Sequence, residues 1–466
     1  MSELVVVSNR GPATFVTGPD GALVARHGAG GLAPSLARAL EGTGALWIAS
    51  TMSGGDRQAA ASGLPAPLIG GSQLRLVDVA PEVRDLAYRD ISNGTLWFVH
   101  HGLFDRARQP RCDRRWHEAW DAYREFNRLI AEQVAVCASD GATVVVNDYH
   151  LALLGSQLAS LRPDLLTVHF HHTPFCEPEE LRVLPSAVAG ELLGSLAAFG
   201  ACGFHAARWA DSFRRCASEV LGMVPETFVA PLGPDAAELR SVVTSEEVGR
   251  ARSELAERLA GRALVLRSDR MELSKNLVRG FLAYEELLDE RPELVRSALF
   301  VARTYPSRED LPEYAAYRHE VEQVVARIAE RFSAGGRAPV ELEIADDFAA
   351  SVAALSCYDV LLVNPVRDGM NLVAKEGPIV NRRNGVLALS REAGAFSELG
   401  TAALEVEPFD VSATAATIGR ALAMSEPERA RRARELVALA SARPPSVWLA
   451  EVVGAARRSR GVPRGG

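Results

Sequence analysis

The hydrophobic positions of this chain form short apolar runs that alternate with longer stretches of helical periodicity. In the first half, the runs that predict strands lie at 4–8, 46–50, 74–79, 96–99, 143–147 and 166–170. In the second half, similar runs lie at 263–267, 297–303, 358–364 and 385–390. Helical periodicity extends over 116–138, 274–290, 310–333 and 411–440. Strands that alternate with helices are typical of parallel sheets, so the pattern predicts an α/β fold of doubly wound, Rossmann-like domains.

One break in the pattern indicates where the chain divides. The segment "VAPLGPDAAEL" at 229–239 ends an apolar run with Pro, Gly and Pro before the next helix. At 466 residues and 48% hydrophobic, the chain is long enough for two domains with cores of their own. We expect Rossmann-like domains at 1–233 and 234–440 that face each other across a cleft. Residues 441–466 would form a C-terminal helix and tail, with packing against the N-terminal domain as one option.

Charge and cysteine content narrow the class of protein. A formal net charge of −8 argues against a general nucleic-acid binder. The six cysteines are scattered without a C-x-x-C pair, which predicts reduced thiols in a cytoplasmic protein. No apolar stretch approaches the ~20 residues of a membrane span, and the N-terminus lacks the features of a signal peptide. We therefore expect no nucleic-acid partner and no membrane.

The segment "NPVRDGMNLVAKEG" at 364–377 combines a turn, a helix start and two carboxylates. The amides around Met370 to Val373 would begin a helix, where they have no intrahelical partner and carry the positive end of its dipole. Such a helix start suits an anion. Asp368 could then bind sugar hydroxyls, and Glu376 could accept bonds from both hydroxyls of a ribose. Alternatively, Asp368 is an N-cap and Glu376 is a solvated helix residue.

The segment "RSDRMELSKNL" at 267–277 places two cations at another predicted strand-to-helix corner. Ser274 has the character of an N-cap for a helix that begins at Lys275. Arg270 and Lys275 suit a diphosphate whose charge grows as it leaves, without a metal ion. They could also be ordinary surface charges. Because both corners follow strands of one predicted sheet, their coincidence favours a nucleotide-diphosphate site.

In the first half of the chain, polar residues follow two predicted strands. Asp148 in "NDYHL" and His172 in "HFHHTPF" each come at the end of such a strand. Carboxylates and imidazoles bind hydroxyl groups well, and the rings of Tyr88 and Trp97 could cover a sugar face. The alternative for His172 is a satisfied structural histidine. With a phosphate corner in the second half, the sugar site is favoured.

Other motifs argue for or against different classes of enzyme. "GAGGLA" at 28–33 matches the dinucleotide fingerprint G-x-G-x-x-A, but twenty residues separate Ser8, the end of the first predicted strand, from Gly28. The acidic residue expected at the end of the next strand is missing, so a hydride-transferring oxidoreductase is not favoured. No Walker loop, nucleophile elbow or H-E-x-x-H sequence is present, and we predict neither a metal ion nor another cofactor. A two-carboxylate hydrolase stays open on these grounds.

Together these segments resemble the trehalose-6-phosphate synthases, retaining glycosyltransferases with the two-domain GT-B fold. The resemblance runs from about residue 4 to about residue 440 and is carried by "VVVSNRGP", "GAGGLAPSL", "YRDISNGTLW", "NDYHL", "HHTPF", "DRMELSKNL", "YPSRED" and "RDGMNLVAKE". It implies transfer of glucose from a nucleoside diphosphate glucose to glucose 6-phosphate. In this front-face reaction the acceptor attacks on the side from which the diphosphate leaves, so no protein nucleophile is required.

The resemblance also implies a role for each matching residue. As catalytic residues, Arg270 and Lys275 would clamp the diphosphate, and His172 and Asp368 would contact the transferred glucose. The donor would also be bound by Gly30, Gly31, Asp346, Leu372, Val373 and Glu376. The acceptor would be bound by Arg10, Trp47, Tyr88, Trp97, Asp148 and Arg308, with the two arginines near its phosphate.

Some positions depart from the family pattern. Asn276 stands where the family commonly has Gly, and "FHHTPFC" replaces the usual "LHIPFP", so Thr173 and Cys176 alter the donor wall. Asp346 or Asp347 could accept two hydrogen bonds from guanine, which uracil does not offer, or both could start the next helix. GDP-glucose and UDP-glucose therefore both stay open as donors.

Several alternatives to this function are open. A glucosylglycerol-phosphate synthase or a cyclitol-coupling pseudo-glycosyltransferase would keep the fold, although the latter departs from "RDGMNLVAKE", which is intact here. A sugar-phosphate-binding regulator without activity would be expected to lose Arg270, Lys275 or Glu376, and none is lost. Association into homo-oligomers also stays open.

Overall fold

The computed structural model describes residues 2–18, 23–27, 32–61, 66–67, 71–333 and 336–459. The backbone divides into two units. We call residues 1–232 with 445–466 the N-terminal unit, and residues 233–444 the C-terminal unit.

The strands are numbered in chain order. They are β1 (Ser2–Ser8), β2 (Ala13–Thr17), β3 (Leu23–His27), β4 (Leu46–Ser50), β5 (Ala66–Pro67), β6 (Gln73–Val77), β7 (Ala138–Asn147), β8 (Leu166–His171), β9 (Ala201–Phe204), β10 (Thr227–Val229), β11 (Ala263–Arg270), β12 (Ala298–Tyr305), β13 (Val340–Ile344), β14 (Val360–Val363), β15 (Val386–Ser390) and β16 (Leu404–Val406).

The helices are numbered in the same way. They are α1 (Leu32–Ala39), α2 (Gly54–Ala61), α3 (Pro81–Asp85), α4 (Trp97–His101), α5 (Arg114–Cys137), α6 (Leu154–Leu161), α7 (Pro178–Leu181), α8 (Ser186–Ala197), α9 (Ala207–Leu221), α10 (Ala236–Val242), α11 (Glu246–Leu259), α12 (Leu277–Glu290), α13 (Leu294–Ser297), α14 (Pro312–Phe332), α15 (Phe348–Leu355), α16 (Val373–Val380), α17 (Phe396–Leu399), α18 (Val411–Leu422), α19 (Glu426–Ser441) and α20 (Pro445–Arg458). A π-helix covers Leu86–Leu96, and 3-10 turns cover Tyr149–Leu151 and Leu273–Lys275. Among the described residues, no single helix is long and apolar enough to cross a membrane, and only α19 and α20 taken together reach that length and composition.

The C-terminal unit contains a parallel sheet in the order β13-β12-β11-β14-β15-β16. Strand order reverses between β11 and β14, and open α/β sheets bind their ligands beyond the carboxyl ends of the strands at such a point. Both faces of β11 are buried, since Val265 packs into one apolar cluster while Leu264 and Leu266 pack into another. Polar side chains gather where the strand leaves this core, from Arg267 to Arg270.

The N-terminal unit contains a sheet with the order β10-β9-β8-β7-β1-β4-β6-β5. Only β5 is antiparallel to its neighbour among the described strands of this sheet. Strand order here reverses between β1 and β7, so the residues after these two strands take the position that ligands favour. Helix α20 belongs to this unit, and the Trp448 ring lies 5.0 Å from the Phe170 ring of β8.

The predicted strand at 96–99 is wrong, because these residues are helical. They close the π-helix Leu86–Leu96 and begin α4, and the apolar side chains of this run are buried. A short apolar run has the same pattern in a buried helix as in a central strand. The hydroxyl groups of Ser92 and Thr95 donate to carbonyls five residues earlier, which fits the wide turn of a π-helix.

The predicted helix over 411–440 is two helices, α18 and α19. Pro427 occupies one of the first two positions of α19, where a missing N–H is tolerated, whereas it would remove a hydrogen bond from an uninterrupted helix. The sequence pattern also does not reveal β2, β3, β5, β9, β13 and β16, each of which has five residues or fewer, whereas the run that ends at the 229–239 boundary coincides with β10. The remaining predicted runs coincide with parallel strands of the two sheets, which confirms the α/β fold class.

The loops after β14 and β15 are locked to each other beside the reversal of strand order in the C-terminal unit. The Asp368 amide donates to Glu392 O at 3.1 Å, and the Gly394 amide donates to Asp368 O at 3.0 Å. A Cβ on Gly394 would lie 1.9 Å from Gly369 O, so a larger residue does not fit. Backbone contacts therefore fix the turn that carries Asp368.

Replacing Gly394 with Ala should destabilise the C-terminal unit, because the new methyl group must displace the Asp368 turn. We expect the free energy of unfolding in urea to fall by about 2 kcal/mol, as for other overpacked sites. Gly249→Ala is the matched control, since a Cβ there meets no atom within 4 Å and the residue lies within α11. That variant should gain about 0.5–1 kcal/mol. Equal stability of the two variants would contradict this account of the turn.

Candidate active site

The carboxyl ends of β11 and β14 bring together several residues expected to bind the donor. Arg270 is the last residue of β11, and Lys275 follows in the turn Leu273–Lys275. Asp368 lies in the loop after β14, and α16 begins at Val373. Because β11 and β14 are parallel neighbours, these segments leave the sheet side by side.

Lys275 and Asp368 form an ion pair at this point. Lys275 Nζ lies 2.5 Å from Asp368 Oδ2, and the two side chains are 11% and 15% exposed. The same oxygen accepts a hydrogen bond from Asn371 Nδ2 at 3.1 Å. Burial lowers the pKa of Lys275, but the carboxylates of Asp368 and Asp269 outweigh burial and hold the pKa above its ordinary value. Lys275 is therefore a cation at neutral pH.

The turn that carries Lys275 differs from its predicted form. Ser274 is not an N-cap, because it is buried within a 3-10 turn and α12 begins only at Leu277. The intervening Asn276 has a φ of 60°, a left-handed conformation that stops the helix from extending back to Lys275. Asn adopts this conformation more readily than most residues other than Gly. This explains how Asn276 can stand where the resembling family commonly has Gly.

A buried carboxylate that the sequence analysis did not single out contacts two arginines of this unit. Glu272 Oε1 lies 3.2 Å from Arg270 Nη1 and 3.1 Å from Arg308 Nη1. The Ser307 hydroxyl donates to the same oxygen at 2.9 Å. Burial raises the pKa of Glu272, but the guanidinium groups of Arg270 and Arg308 outweigh burial and bring it to about 2. Glu272 thus holds both arginines, while the Arg270 side chain keeps 43% of its surface exposed.

The start of α16 provides backbone amides for an anion. The Lys375 amide donates to Leu372 O at 2.9 Å, which begins the hydrogen bonds of the helix. The amides of Leu372 and Val373 precede that bond and have no carbonyl one turn earlier within α16. Asn371 Oδ1 accepts a hydrogen bond from the Ala374 amide at 3.2 Å and so caps the next position. The positive end of the helix dipole lies at these residues.

Lys375 and Glu376 are adjacent on α16 but have different surroundings. Lys375 is 1% exposed, and its Nζ lies 2.6 Å from Glu398 Oε2, so this cation is paired inside the unit. Glu376 is only partly buried, and desolvation raises the pKa of its carboxyl group to about 7. Glu376 can therefore change its charge near neutral pH.

Tyr305 is a second residue that the sequence analysis did not single out. It pairs with Arg270 in the register of β11 and β12, and its side chain is 39% exposed. Burial raises the pKa of its hydroxyl group, and the charges of Arg270, Lys275 and Glu376 also act on it. Tyr305 therefore lies beside the arginine that is expected to bind the diphosphate.

The two aspartates proposed for base recognition differ in the structure. Asp347 Oδ1 accepts a hydrogen bond from the Ala350 amide at 2.9 Å and caps α15. Asp347 therefore caps the helix, which is the alternative to base recognition that the sequence left open. Asp346 is exposed beside it and is the remaining candidate for a base contact.

In the N-terminal unit, polar residues follow the neighbouring strands β7 and β8. Asp148 comes directly after β7 with a φ of 69°, and its amide donates to Phe170 O at 2.8 Å. His172 comes directly after β8, with Nε2 2.9 Å from Asn147 Oδ1 and Nδ1 3.1 Å from His205 Nε2. Burial lowers the pKa of His172 well below its ordinary value, so the ring is neutral at pH 7.

Trp47 and Trp97, both expected to bind the acceptor, are core residues. Each is 1% exposed. Trp47 Nε1 donates to Ser8 Oγ at 2.7 Å, and the Trp97 ring stacks on His101 with centroids 4.2 Å apart. Neither ring presents a face to solvent in this structure, so the structure does not support Trp97 as the cover of a sugar face.

The other residues expected to bind substrates are distributed over both units. Arg10 is exposed just after β1, and Tyr88 is partly buried within the π-helix of the N-terminal unit. Arg308 belongs to the C-terminal unit, where it shares the carboxylate of Glu272 with Arg270. Gly30 and Gly31 lie outside the described residues.

Comparison with known proteins identifies the family. The model for glycosyltransferase family 20 matches residues 2–458. The chain belongs to this family. A relative from Arabidopsis thaliana, the probable alpha,alpha-trehalose-phosphate synthase (UDP-forming) 2, is 32% identical over 76% of this chain.

Solved structures agree with this assignment. An E. coli structure with bound UDP-2-fluoro glucose is 28% identical to this family-20 chain, with a TM-score of 0.84 that covers 99% of this chain and 100% of that one. The alpha,alpha-trehalose-phosphate synthase (UDP-forming) of Burkholderia xenovorans in complex with glucose-6-phosphate is 27% identical, also with a TM-score of 0.84 and the same coverage. The resemblance to the trehalose-6-phosphate synthases and the GT-B class of fold are thereby confirmed.

This family-20 chain spans only part of its longer curated relatives. The alignments cover 44% and 38% of two Arabidopsis thaliana proteins and 60% of one from Thermoproteus tenax. The alignments with bacterial trehalose-6-phosphate synthases cover 90–92% of those proteins.

The residues missed by the sequence analysis act through partners that are distant or lie on other strands. The contact between Glu272 and Arg270 could have been predicted from the sequence, because Glu272 lies only two residues beyond Arg270 in an extended segment. His205 also follows a strand, but β9 is only four residues long and its run did not stand out. Tyr305 is the last residue of β12, two residues beyond the predicted run at 297–303, and gave no polar signal of its own.

Replacing Glu272 with Gln should destabilise this family-20 chain at neutral pH but much less in acid. Removing one partner of a buried ion pair costs ~3–5 kcal/mol, and the partial exposure of Arg270 reduces this, so we expect a loss of about 2 kcal/mol at pH 7. Because the folded pKa of about 2 lies below the ordinary 4.5, the stabilisation is present above pH 4.5 and fades as the pH falls towards 2. Urea unfolding at pH 7, 5 and 3 measures the difference.

Glu309→Gln is the matched control for that series. Glu309 pairs with Arg318 while 53% exposed, so its loss should change the free energy of unfolding by less than about 0.5 kcal/mol. A destabilisation by Glu272→Gln that is the same at pH 7 and pH 3 would show that the charge of Glu272 is not what holds the arginines.

Proposed function

We propose that this chain is a retaining trehalose-6-phosphate synthase that transfers glucose from UDP-glucose to glucose 6-phosphate. The observation that carries the proposal is the position of Arg270, Lys275 and the start of α16 where strand order reverses in the C-terminal unit. Membership of glycosyltransferase family 20 supports it. So do the relatives that are named UDP-forming trehalose-phosphate synthases.

The donor diphosphate occupies the space between the cations and the helix start. The Arg270 side chain is 43% exposed and can contact the diphosphate, and the Leu372 and Val373 amides point their dipole at the same anion. Lys275 leaves Asp368 for the diphosphate, since two phosphate groups attract the ammonium group more strongly than one carboxylate. Asp368 is then able to accept hydrogen bonds from hydroxyl groups of the glucose.

The reaction needs charge stabilisation more than it needs a protein nucleophile. The bond between the anomeric carbon and the diphosphate oxygen breaks, and the acceptor oxygen bonds to that carbon on the same face. The proton of the acceptor hydroxyl passes to an oxygen of the leaving diphosphate. Arg270 and Lys275 stabilise the charge that grows on this diphosphate, and the loss of one such group typically costs ~2.7–4 kcal/mol of barrier.

The acceptor is recognised through its phosphate and its hydroxyl groups. Arg308, held by Glu272, and Arg10, exposed after β1, supply positive charge for the phosphate. Asp148 and Tyr88 supply groups that bind sugar hydroxyls. Glucose 6-phosphate in the Burkholderia xenovorans structure supports this choice of acceptor over glycerol phosphates and cyclitols.

Two groups are placed to contact the nucleoside, and one of them can distinguish its base. Glu376 accepts hydrogen bonds from the ribose hydroxyls of any nucleoside diphosphate glucose. Asp346 would add a preference for guanine if it accepts from the base, so GDP-glucose is the second donor to compare.

Incubation with glucose 6-phosphate and either UDP-glucose or GDP-glucose tests the proposed function. We expect trehalose 6-phosphate with the anomeric configuration of the donor retained, identified by NMR of the product, and a higher kcat/KM with UDP-glucose. A preference for GDP-glucose would overturn the donor and support Asp346 as its determinant. Inverted configuration, or no transfer from either donor, would contradict the proposal.

Arg270→Ala and Arg318→Ala form the matched pair for this assay. Arg270→Ala should lower kcat/KM by about 100- to 1,000-fold with an unchanged circular dichroism spectrum, because it removes one of the two cations from the diphosphate. Arg318→Ala removes an arginine from a surface ion pair and should retain activity. If Arg270→Ala turns over at the rate of Arg318→Ala, Arg270 does not stabilise the leaving diphosphate.

The raised pKa of Glu376 predicts a pH dependence of donor binding. The ionised carboxylate is the better acceptor for ribose hydroxyls, so UDP-glucose should bind about tenfold more weakly at pH 6 than at pH 8, on either side of the pKa of about 7. UDP-glucose is esterified at both ends of its diphosphate and does not titrate in this range. Isothermal titration at both pH values measures the effect, and Glu376→Gln should bind weakly and almost independently of pH. A pH dependence that persists in Glu376→Gln would assign it to another group.

A further inference from the structure

The side-chain amide of Asn93 links two segments of the N-terminal unit that carry residues expected to bind the acceptor. Asn93 lies in the π-helix Leu86–Leu96 and is 1% exposed. Its Nδ2 donates to Tyr88 O at 3.0 Å, one wide turn earlier in the same helix. Its Oδ1 accepts a hydrogen bond from the Tyr149 hydroxyl, also at 3.0 Å. Because Tyr149 directly follows Asp148, one buried amide joins the backbone at Tyr88 to the turn after β7.

A stack of aromatic rings makes a second connection between these two segments. The centroid of the His150 ring lies 5.7 Å from that of Tyr88 and 4.2 Å from that of Tyr149, with interplanar angles of 18° and 27°. Tyr149 is 1% exposed, whereas Tyr88 and His150 are only partly buried. His150 therefore supports the ring of Tyr88, while Asn93 holds the backbone that carries it.

Each segment also has an attachment to α5 that does not involve Asn93. The Tyr123 hydroxyl donates to Tyr149 O at 2.6 Å, which ties the turn after β7 to this helix. Trp116 Nε1 donates to Thr95 Oγ1 at 3.1 Å, which ties the end of the π-helix to it. Loss of the Asn93 contacts should therefore loosen the turn of the π-helix that precedes Asn93 without unfolding either segment.

We propose that Asn93 is a positioning residue of the acceptor site, which holds Tyr88 at a fixed distance from Asp148. The roles of Tyr88 and Asp148 rest on the proposed function, whereas the connection between them rests on the hydrogen bonds above. Both residues are expected to contact hydroxyl groups of one glucose 6-phosphate, so a displacement of Tyr88 relative to Asp148 weakens the binding of that sugar. The residues expected to bind the donor diphosphate belong to the C-terminal unit, so the affinity for UDP-glucose should not depend on Asn93.

Crystal structures of the wild type and of Asn93→Ala test the positioning without reference to activity. In the variant the buried Tyr149 hydroxyl loses its acceptor, and Tyr88 O loses a donor. After superposition of the strands of the N-terminal unit, we expect Tyr88 to be displaced by about 1 Å or more, a shift large enough to affect binding. Asp148 should stay in place, because its turn is tied to α5.

The kinetic counterpart separates positioning from a merely structural role. Asn93→Ala should raise the KM for glucose 6-phosphate about tenfold, while the KM for UDP-glucose stays within about twofold. A merely structural role would reduce the amount of folded enzyme, which lowers the apparent kcat and leaves both KM values unchanged. Tyr149→Phe keeps the ring and the bond from Asn93 to Tyr88, and should raise the KM for glucose 6-phosphate about threefold. The double variant should be no worse than Asn93→Ala alone, since both substitutions remove the same hydrogen bond.

Ser92→Ala is the matched control in both experiments. Ser92 is buried in the same π-helix, and its hydroxyl group donates to Ala87 O at 2.8 Å within that helix and not to the turn after β7. The variant loses a similar bond but keeps the link between the two segments. It should therefore retain the wild-type position of Tyr88 and the wild-type KM for glucose 6-phosphate. An equal rise of this KM in Ser92→Ala would show that the π-helix itself, and not the link through Asn93, determines acceptor binding.

The outcomes distinguish this inference from the proposed function. If Tyr88 keeps its wild-type position in Asn93→Ala, or if the KM for glucose 6-phosphate of that variant stays within about twofold, the inference is overturned even when the wild type is fully active. A displaced Tyr88 in a chain that transfers no glucose upholds the positioning and rejects the proposed function. If Asn93→Ala does not fold, Tyr149→Phe decides by the same two measurements.

Discussion

Charge pairing in a partly buried site is the constraint on which the C-terminal unit depends. Arg270 and Arg308 share the carboxylate of Glu272, and Lys275 contacts Asp368. An unpaired charge withdrawn from water costs several kcal/mol, so these cations could not be held together at the strand ends without carboxylates beside them. The carboxylates keep the cations in position. In the proposed function a diphosphate, with its greater charge, takes over the contacts of the exposed cations, so that stability before binding and affinity for the donor arise from the same side chains.

The topology of each unit decides where such pairs can form. Both sheets reverse their strand order once, between β11 and β14 and between β1 and β7, and the described polar residues of the two units that are expected to bind substrates lie mainly beyond the carboxyl ends of strands. In the C-terminal unit this position is filled by charges, whose arrangement is set by ion pairs. In the N-terminal unit it is filled by imidazole and amide groups. Their arrangement is set by hydrogen bonds, since His172 lies between Asn147 and His205.

The sequence was informative where function depends on residues close together in the chain. The spacing of Arg270 and Lys275 after a strand, and of Asp368 and Glu376 around a helix start, predicted their common location because strand ends and helix starts are local features. Local sequence patterns were not sufficient to predict the structure where tertiary packing or backbone conformation determines it. The run at 96–99 is apolar on all sides and fits a buried helix as well as a strand, and Ser274 has the chemistry of an N-cap but is excluded from that role by the left-handed Asn276. The aromatic Trp97 could be assigned to the core only once its neighbours were known.

Contacts between residues that are far apart in the sequence became visible only in the structure. Glu272 pairs with an arginine thirty-six residues away, and His205 meets His172 from another strand. No periodicity marks such partners, because they are brought together by strand order and not by spacing.

A crystal structure of the chain with a bound nucleoside diphosphate would show whether the paired cations exchange their carboxylates for phosphate. We expect the diphosphate to contact the Arg270 guanidinium and the amides at the start of α16, and Lys275 to turn from Asp368 to a phosphate oxygen. Glu272 should keep its contact with Arg308. A diphosphate bound elsewhere, or one that leaves the Lys275–Asp368 pair intact at its present distance, would contradict this exchange.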